Sequence, residues 1–411
     1  MTHTTAARNI TWTLFIAQSL GSAAFISTAT INTIVGTQLS GNPKLAGVPS
    51  AVFQLGVAFA SFGIALAMDR WGRRRGLGIG YAAGVLGGVV CVNGMLAQNF
   101  LVFLAGLVLF GIARAAMQMS RFTAAEVHPP ASRGQAISYI VLAGTVGSVL
   151  GPLFVGPSGK LAVQLGFDEL VGPFVIGLIV FVLCTFVILA FLRPEPNVVA
   201  QEIARLYPEK ATVGRLRSLQ QILLTPKVVV AITVTVFGQV VMVMLMGITS
   251  LYMDEHQHGL EAISFVFSAH TLGMFAFSIL SGRLVDRWGR APVILTGSVI
   301  LLIACAMAPL SPDVFPLSVA LFLLGLGWNF TYVGGSTMLA DELSPEERAK
   351  TQGVNDLLIG LVTASGSVIS GVIFASAGYA VMGVVGAVFS LIPLGVTGWW
   401  MAGKQEARAT H

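Results

Sequence analysis

Runs of roughly twenty apolar residues follow one another along the chain, each long enough to cross a hydrocarbon core about 30 Å thick. A backbone in lipid must satisfy its own amides, so runs of this length are helices. Twelve such spans are expected, at about 10–34, 49–68, 76–97, 100–122, 134–157, 168–193, 227–252, 260–283, 291–309, 314–339, 352–376 and 378–401. Composition agrees. Only 10% of the 411 residues are Asp, Glu, Lys or Arg, against about 25% in a soluble domain. Apolar residues make up 55%, and mean hydropathy is +0.83. The fold class is therefore an all-α polytopic membrane protein.

An even number of spans leaves both termini on one side. That side carries Arg8, Arg70, Arg73, Arg74, Arg75, Arg133, Arg205, Lys210, Arg215, Arg217, Arg287, Arg290, Arg348, Lys350, Lys404 and Arg408. The opposite loops hold only Lys44 and Lys160. Positive loops stay in the cytoplasm, so both termini are expected there, in the plasma (inner) membrane. The net charge of +5 then follows from topology, and no nucleic-acid partner is expected. Residues 1–9 are polar and the first apolar run is long enough to span, so no cleavable signal peptide is expected. Cys91, Cys184 and Cys305 fall inside apolar runs and make neither a disulfide framework nor a metal site. His256 and His258, beside Asp254 and Glu255, lack a defined metal-ligand spacing and read as solvated loop. No cofactor is expected.

The longest polar stretch, Arg193 to Pro226, divides the spans six and six. A first bundle is expected at 1–193, a cytoplasmic linker at 194–226 with a short surface helix at 199–206, and a second bundle at 227–411. The halves repeat one another. "DRWGR" at Asp69–Arg73 returns at Asp286–Arg290, each time between the second and third span of its half. "AEVHPPASR", Ala125–Arg133, returns as "ADELSPEER", Ala340–Arg348, after the fourth. Two matches at nearly one offset mean an internal duplication, hence two pseudo-symmetric six-helix bundles. Parallel repeats of this kind point to a transporter with its substrate site near the midplane.

The repeated loops have a chemistry of their own. An aspartate at the end of a span can accept from a helix N-terminus, where free N–H groups and the dipole favour an anion. The arginines of each loop can pair with Glu126 in the first half and Asp341 in the second. Glycine allows the tight turn. A plainer reading is that these charges only set topology, although topology alone would not require the aspartates.

On these residues the chain resembles the major facilitator superfamily, whose loop signature reads roughly G-x-x-x-D-R-x-G-R-R/K. The second copy matches at Gly282, Asp286, Arg287, Gly289 and Arg290; the first matches from Asp69 onward, with Ala65 where glycine is preferred. The resemblance covers essentially the whole chain. It implies that the loops latch the cytoplasmic side when the cavity faces outward, with Asp69 docking near the start of span 11 and Asp286 near the start of span 5. Asp69, Arg70, Arg73, Glu126, Asp286, Arg287, Arg290 and Asp341 are the gating residues so implied. Span 5 reads "GTVGSVLGPLFVG", and Gly147, Gly151 and Pro152 match the core of the superfamily's antiporter pattern. Ordinary small-residue packing is the other reading of that stretch.

The resemblance also puts spans 1, 4, 7 and 10 around the central cavity, and those spans carry polar stripes at helical spacing. Span 1 has Gln18, Phe25 and Asn32; span 4 has Arg114, Gln118 and Arg121; span 7 has Gln239, Met246 and Ser250; span 10 has Trp328, Asn329, Tyr332 and Ser336. The expected substrate-binding set is Arg114, Gln118, Gln18, Asn32, Gln239, Trp328, Asn329 and Tyr332. Arg114 lies about fourteen residues into its span, roughly 20 Å deep at 1.5 Å per residue. A cation there is costly unless paired or hydrated, and no carboxylate in the middle of another span is available to it. An anionic ligand would satisfy it; so would carbonyls of neighbouring helices. His270, central in span 8, is a proton-coupling candidate or a helix-to-helix hydrogen bond. Spans 1 and 7 hold no embedded Asp or Glu.

The function expected is secondary active transport of a small organic solute, anionic on the strength of Arg114, by alternating access, with export or exchange favoured. The alternative is a proton-coupled or uncoupled importer of an organic nutrient. A membrane enzyme is the remote contrast: "GPSG" at Gly156–Gly159 offers a serine, but it falls at the outer end of span 5, and no protease needs the duplicated loops. The partners are the solute, the lipid bilayer and a proton, and the working unit is a monomer.

Overall fold

The structure, a computed structural model, describes residues 3–207 and 217–409. Lys210, Arg215 and the middle of the expected linker lie outside these residues, as do the side chains of Arg348, Lys350, Lys404 and Arg408.

Among the described residues every regular element is helical. Spans 1 to 4 are His3–Ser40, Val48–Trp71, Arg73–Leu96 and Phe100–Glu126. Span 5 runs Arg133–Leu150, tightens into a 3-10 turn at Gly151–Phe154 around Pro152, and resumes as Val155–Gln164. Span 6 is Val171–Phe191 and span 7 is Pro226–Glu255. Span 8 comes in two pieces, Leu260–Phe275 and Ser278–Trp288; span 9 is Arg290–Met307 and span 10 is Val314–Ala340. The last helical run, Pro345–Ala409, holds spans 11 and 12. Its apolar stretch Thr351–Gly403 is 53 residues long. At 1.5 Å per residue that is about 80 Å, far more than one crossing needs. Gly378, at φ 77° and ψ 178°, breaks it in two. The eleven membrane-length segments therefore contain twelve spans.

The chain forms two compact units: residues 1–41 with 52–212, and residues 42–51 with 213–411. Both repeat the same pairings. In the first unit span 1 packs on span 5, and a Cβ at Gly147 would lie 2.0 Å from the Ser19 carbonyl oxygen. In the second, span 7 meets span 11, where the Thr235 hydroxyl donates to Asn355 Oδ1 at 2.9 Å. Spans 8 and 10 touch backbone to backbone: a Cβ at Gly273 would lie 2.2 Å from the Phe322 oxygen. Lipid tails are as apolar as leucine, so close packing of this sort, rather than apolar burial, brings spans together. The first unit also has an aromatic centre, with Phe103 edge-on to Phe174 at 5.4 Å and Phe110 tilted against Phe181 at 5.4 Å.

The break in span 8 has a cause in span 10. Asn329 Nδ2 donates to the Met274 carbonyl at 2.6 Å and to Ser278 Oγ at 3.0 Å, while Ser281 Oγ donates to Asn329 Oδ1. The carbonyl freed at the break is thus satisfied by a neighbouring helix, as lipid demands.

Both described ends of the linker are held by hydrogen bonds to the helices beside them. Its helix, Pro196–Leu206, starts earlier than expected because proline at the first position gives up no helical bond. Val199 and Ile203 are buried beneath it. At its start Glu195 Oε1 accepts from the Arg74 N–H at 3.2 Å, and Arg74 Nε donates to the Leu189 carbonyl at 2.9 Å. At its far end Arg217 donates to Glu347 Oε1 through Nε at 3.0 Å and to Oε2 through Nη2 at 2.8 Å. Glu347 also accepts from the Ser344 N–H at 3.1 Å, which closes the first turn of span 11. The Arg217 guanidinium, helped by that N–H, holds the Glu347 carboxyl down at about 2.

Candidate functional site

In the first unit, span 4 begins at Asn99, whose side chain accepts from the Val102 N–H at 3.1 Å. It carries Arg114 into the membrane interior. The Arg114 guanidinium carbon lies 4.9 Å from the centroid of Phe25 on span 1. The other partner of Phe25 is Phe53 of span 2, stacked at 4.7 Å and 22°. Among the described residues no carboxylate and no hydrogen-bond acceptor is paired with Arg114. A desolvated cation–π contact is worth about 2 kcal/mol, and an arginine at mid-span costs about 2.5–3.5 kcal/mol to insert. The ring leaves the cation under-compensated, and an anion would make up the difference.

The rest of the expected set in this unit surrounds the same spans. Gln18 and Asn32 are buried on span 1, and among the described residues Gln18 Oε1 and Asn32 Oδ1 have no hydrogen-bond partner. Gln18 Nε2 faces Gly144 of span 5. Gln118 is half-buried on span 4. Arg121 lies over Phe122 at 4.8 Å.

In the second unit, Trp328 of span 10 donates its indole N–H to Gln239 Oε1 of span 7 at 2.8 Å. Tyr332, one turn on, stacks on Trp328 at 4.9 Å and 15°, and Phe275 of span 8 meets it edge-on at 6.2 Å. Asn329, expected beside them, instead serves the span 8 break: it is 2% exposed, and both ends of its amide are engaged there. We therefore leave it out of the site. His270 is buried between spans 8 and 10, with Nδ1 hydrogen-bonded to the Leu321 carbonyl at 2.9 Å and Nε2 without a partner.

The repeated loops are built alike. Gly72 and Gly289 sit at φ 91° and 90°, with ψ 160° and 168°, a conformation open to glycine. Each turn aims the following arginine at the acid after the fourth span of its half. Arg73 grips both Glu126 oxygens, Nε to Oε2 at 2.9 Å and Nη2 to Oε1 at 3.0 Å. Arg290 reaches Asp341 through Nε at 2.7 Å and Nη2 at 3.3 Å. Such two-point pairs are the strong, directional kind. The copies differ at the aspartate. Both aspartates are exposed, but Asp69 also binds Arg73, at 2.6 Å, whereas Arg290 turns instead to the Val285 carbonyl at 3.4 Å. Arg70 and Arg287 are exposed.

Several contacts were not among the sequence expectations. Ser344 and Glu347 spell a capping box that was readable as such, and of its two bonds the one from the Ser344 N–H to Glu347 forms. The Arg217 to Glu347 pair joins residues 130 apart and left no local signal, nor did the Trp328 to Gln239 bond across 89 residues.

Comparison with known proteins gives a consistent answer. The family whose model matches is described as the Major Facilitator Superfamily, over residues 13–262 and 241–410. The MFS-type transporter YdeG of Bacillus subtilis is 32% identical over 386 residues, 93% of this chain and 90% of that protein. The riboflavin transporter RfnT of Brucella anthropi is 28% identical over 380 residues, 92% of each chain. Among solved structures, a bacterial homolog of the human lysosomal transporter Spinster matches with a TM-score of 0.69 at 17% identity, over 95% of this chain and 96% of that one.

Proposed function

Because this chain belongs to the major facilitator superfamily and is a transporter of a small solute, not an enzyme, we propose that it carries an organic anion by alternating access. The single observation behind the anion is Arg114, a membrane-embedded guanidinium whose recorded partner is the Phe25 ring. Gln18 and Asn32 of span 1 and Gln118 of span 4 supply neutral hydrogen-bonding groups on the same two spans as Arg114 and Phe25; within the second unit Gln239, Trp328 and Tyr332 form a set of their own. Export or exchange is the direction we favour, on the Gly147, Gly151 and Pro152 pattern of span 5. The chain works in the plasma membrane with its termini and signature loops in the cytoplasm. A second reading, import of an organic nutrient, draws its support from the riboflavin transporter relative.

A ligand-stabilisation screen of the purified protein tests the anion. Organic anions are expected to raise the melting temperature, because a ligand that binds only the folded state stabilises it by mass action. Stabilisation by organic cations or neutral solutes alone overturns the reading.

We assign gating to the signature loops. Arg73 joins Asp69 and Glu126 in one cluster, so Asp69→Asn weakens the first loop's hold without removing the Glu126 pair. The variant is expected to shift the protein toward the inward-open state. Single cysteines introduced along span 4 then react faster with a membrane-impermeant thiol reagent from the cytoplasmic side; unchanged rates sink the assignment.

A further inference from the structure

Within the second unit, the structure assigns the Trp328–Tyr332 stack and Gln239 as a platform for a planar heteroaromatic ring with a hydrogen-bond-accepting edge, an inference that rests on the transport reading above. The geometry carries it in three steps. First, the platform is rigid. The Trp328 N–H is bound to Gln239 Oε1 at 2.8 Å, Tyr332 lies nearly parallel to the indole at 15°, and Phe275 closes against it edge-on. A ring ordered beforehand loses little freedom when a ligand stacks on it. Second, the platform has an unused polar edge. Gln239 spends its carbonyl on Trp328, and among the described residues nothing accepts from its Nε2. Two amide donors in a half-buried position inside a membrane span are costly without an acceptor. Third, the chemistry selects a class. An aliphatic anion gains nothing from parallel aromatic faces, and a plain hydrocarbon ring leaves Nε2 unbonded. A heterocycle edged with carbonyl oxygens or ring nitrogens uses both, stacking on the half-buried Tyr332 ring, which the buried Trp328 backs from behind, and accepting from Nε2. Asn329 does not contribute, since its amide is already committed to span 8.

Riboflavin is the probe, because its emission is quenched when its ring lies against an indole or a phenol. Titrated into the full-length protein in detergent, it is expected to show saturable quenching. Lumichrome, the ring without the sugar chain, displaces it; ribitol, the chain without the ring, does not. Tyr332→Ala is expected to weaken binding about tenfold or more, the size of one lost stacking contact. Gln239→Leu, and Trp328→Phe as the variant that keeps a ring and the fold, each weaken it about fivefold, the size of one neutral hydrogen bond. Absence of saturable quenching by riboflavin and lumichrome overturns the platform. So does quenching of unchanged affinity in all three variants, or displacement by ribitol. The platform and the anion reading fail separately: transport that survives loss of Arg114 removes the anion, whereas an indifferent quench removes the platform, whatever Arg114 does.

Discussion

Arg114→Ala is expected to abolish accumulation of an organic anion in proteoliposomes, if that is the solute carried, while the protein still purifies as a folded monodisperse species. The asymmetry follows from where the guanidinium spends its interactions. In the absence of solute its recorded partner is Phe25, 4.9 Å away. Removing the cation forfeits about 2 kcal/mol of cation–π attraction and spares an insertion cost of about 2.5–3.5 kcal/mol, so the fold loses little. With an anion bound, the same change strips one partner from a desolvated charge pair, worth about 2–5 kcal/mol. At about 1.4 kcal/mol per decade that is about thirtyfold to several thousandfold in affinity. Arg114→Lys restores charge but not the planar fork, and is expected to recover transport only in part. Wild-type uptake by Arg114→Ala would end the assignment.

The second large effect falls on the fold. Gly147→Leu is expected to destroy the seam between spans 1 and 5. A Cβ at Gly147 meets the Ser19 oxygen at 2.0 Å and the Ala23 nitrogen at 2.9 Å, and both are backbone atoms on a neighbouring helix. No side chain can swing aside, so the whole span must move. Overpacking of this kind costs about 3 kcal/mol or more. The variant should aggregate or melt far below the wild type in size-exclusion-monitored heating. Gly63→Ala is the control, since a Cβ there meets nothing within 4 Å. Equal melting of Gly147→Leu and wild type would mean that spans 1 and 5 do not meet as described.

Much of the architecture was legible in the sequence because lipid leaves a chain few options. Apolar runs give the spans, and the "DRWGR" repeat gives the duplication. That the loop arginines pair with Glu126 and Asp341 was readable too, because the two loops repeat acid and arginine in register; that Arg73 and Arg290 are the ones that do so was not. The boundary between spans 11 and 12 was faint, since Gly378 interrupts an otherwise continuous apolar helix with one left-handed residue. The site was legible in outline and not in detail. Helical spacing put Gln18, Phe25 and Asn32 on one stripe, but nothing local says that Phe25 is the ring over which Arg114 lies. Trp328, Asn329 and Tyr332 look alike as polar or aromatic residues of one span. Only their neighbours separate them: Gln239 for Trp328, the opened backbone of span 8 for Asn329.

That last contact has a consequence for how the protein can change over time. Span 8 has no proline at its bend, and the stitch that keeps the bend dry is an amide borrowed from another helix. The two segments are therefore tied to each other: an apolar residue in place of Asn329 strands a carbonyl in hydrocarbon unless span 8 straightens in the same stroke.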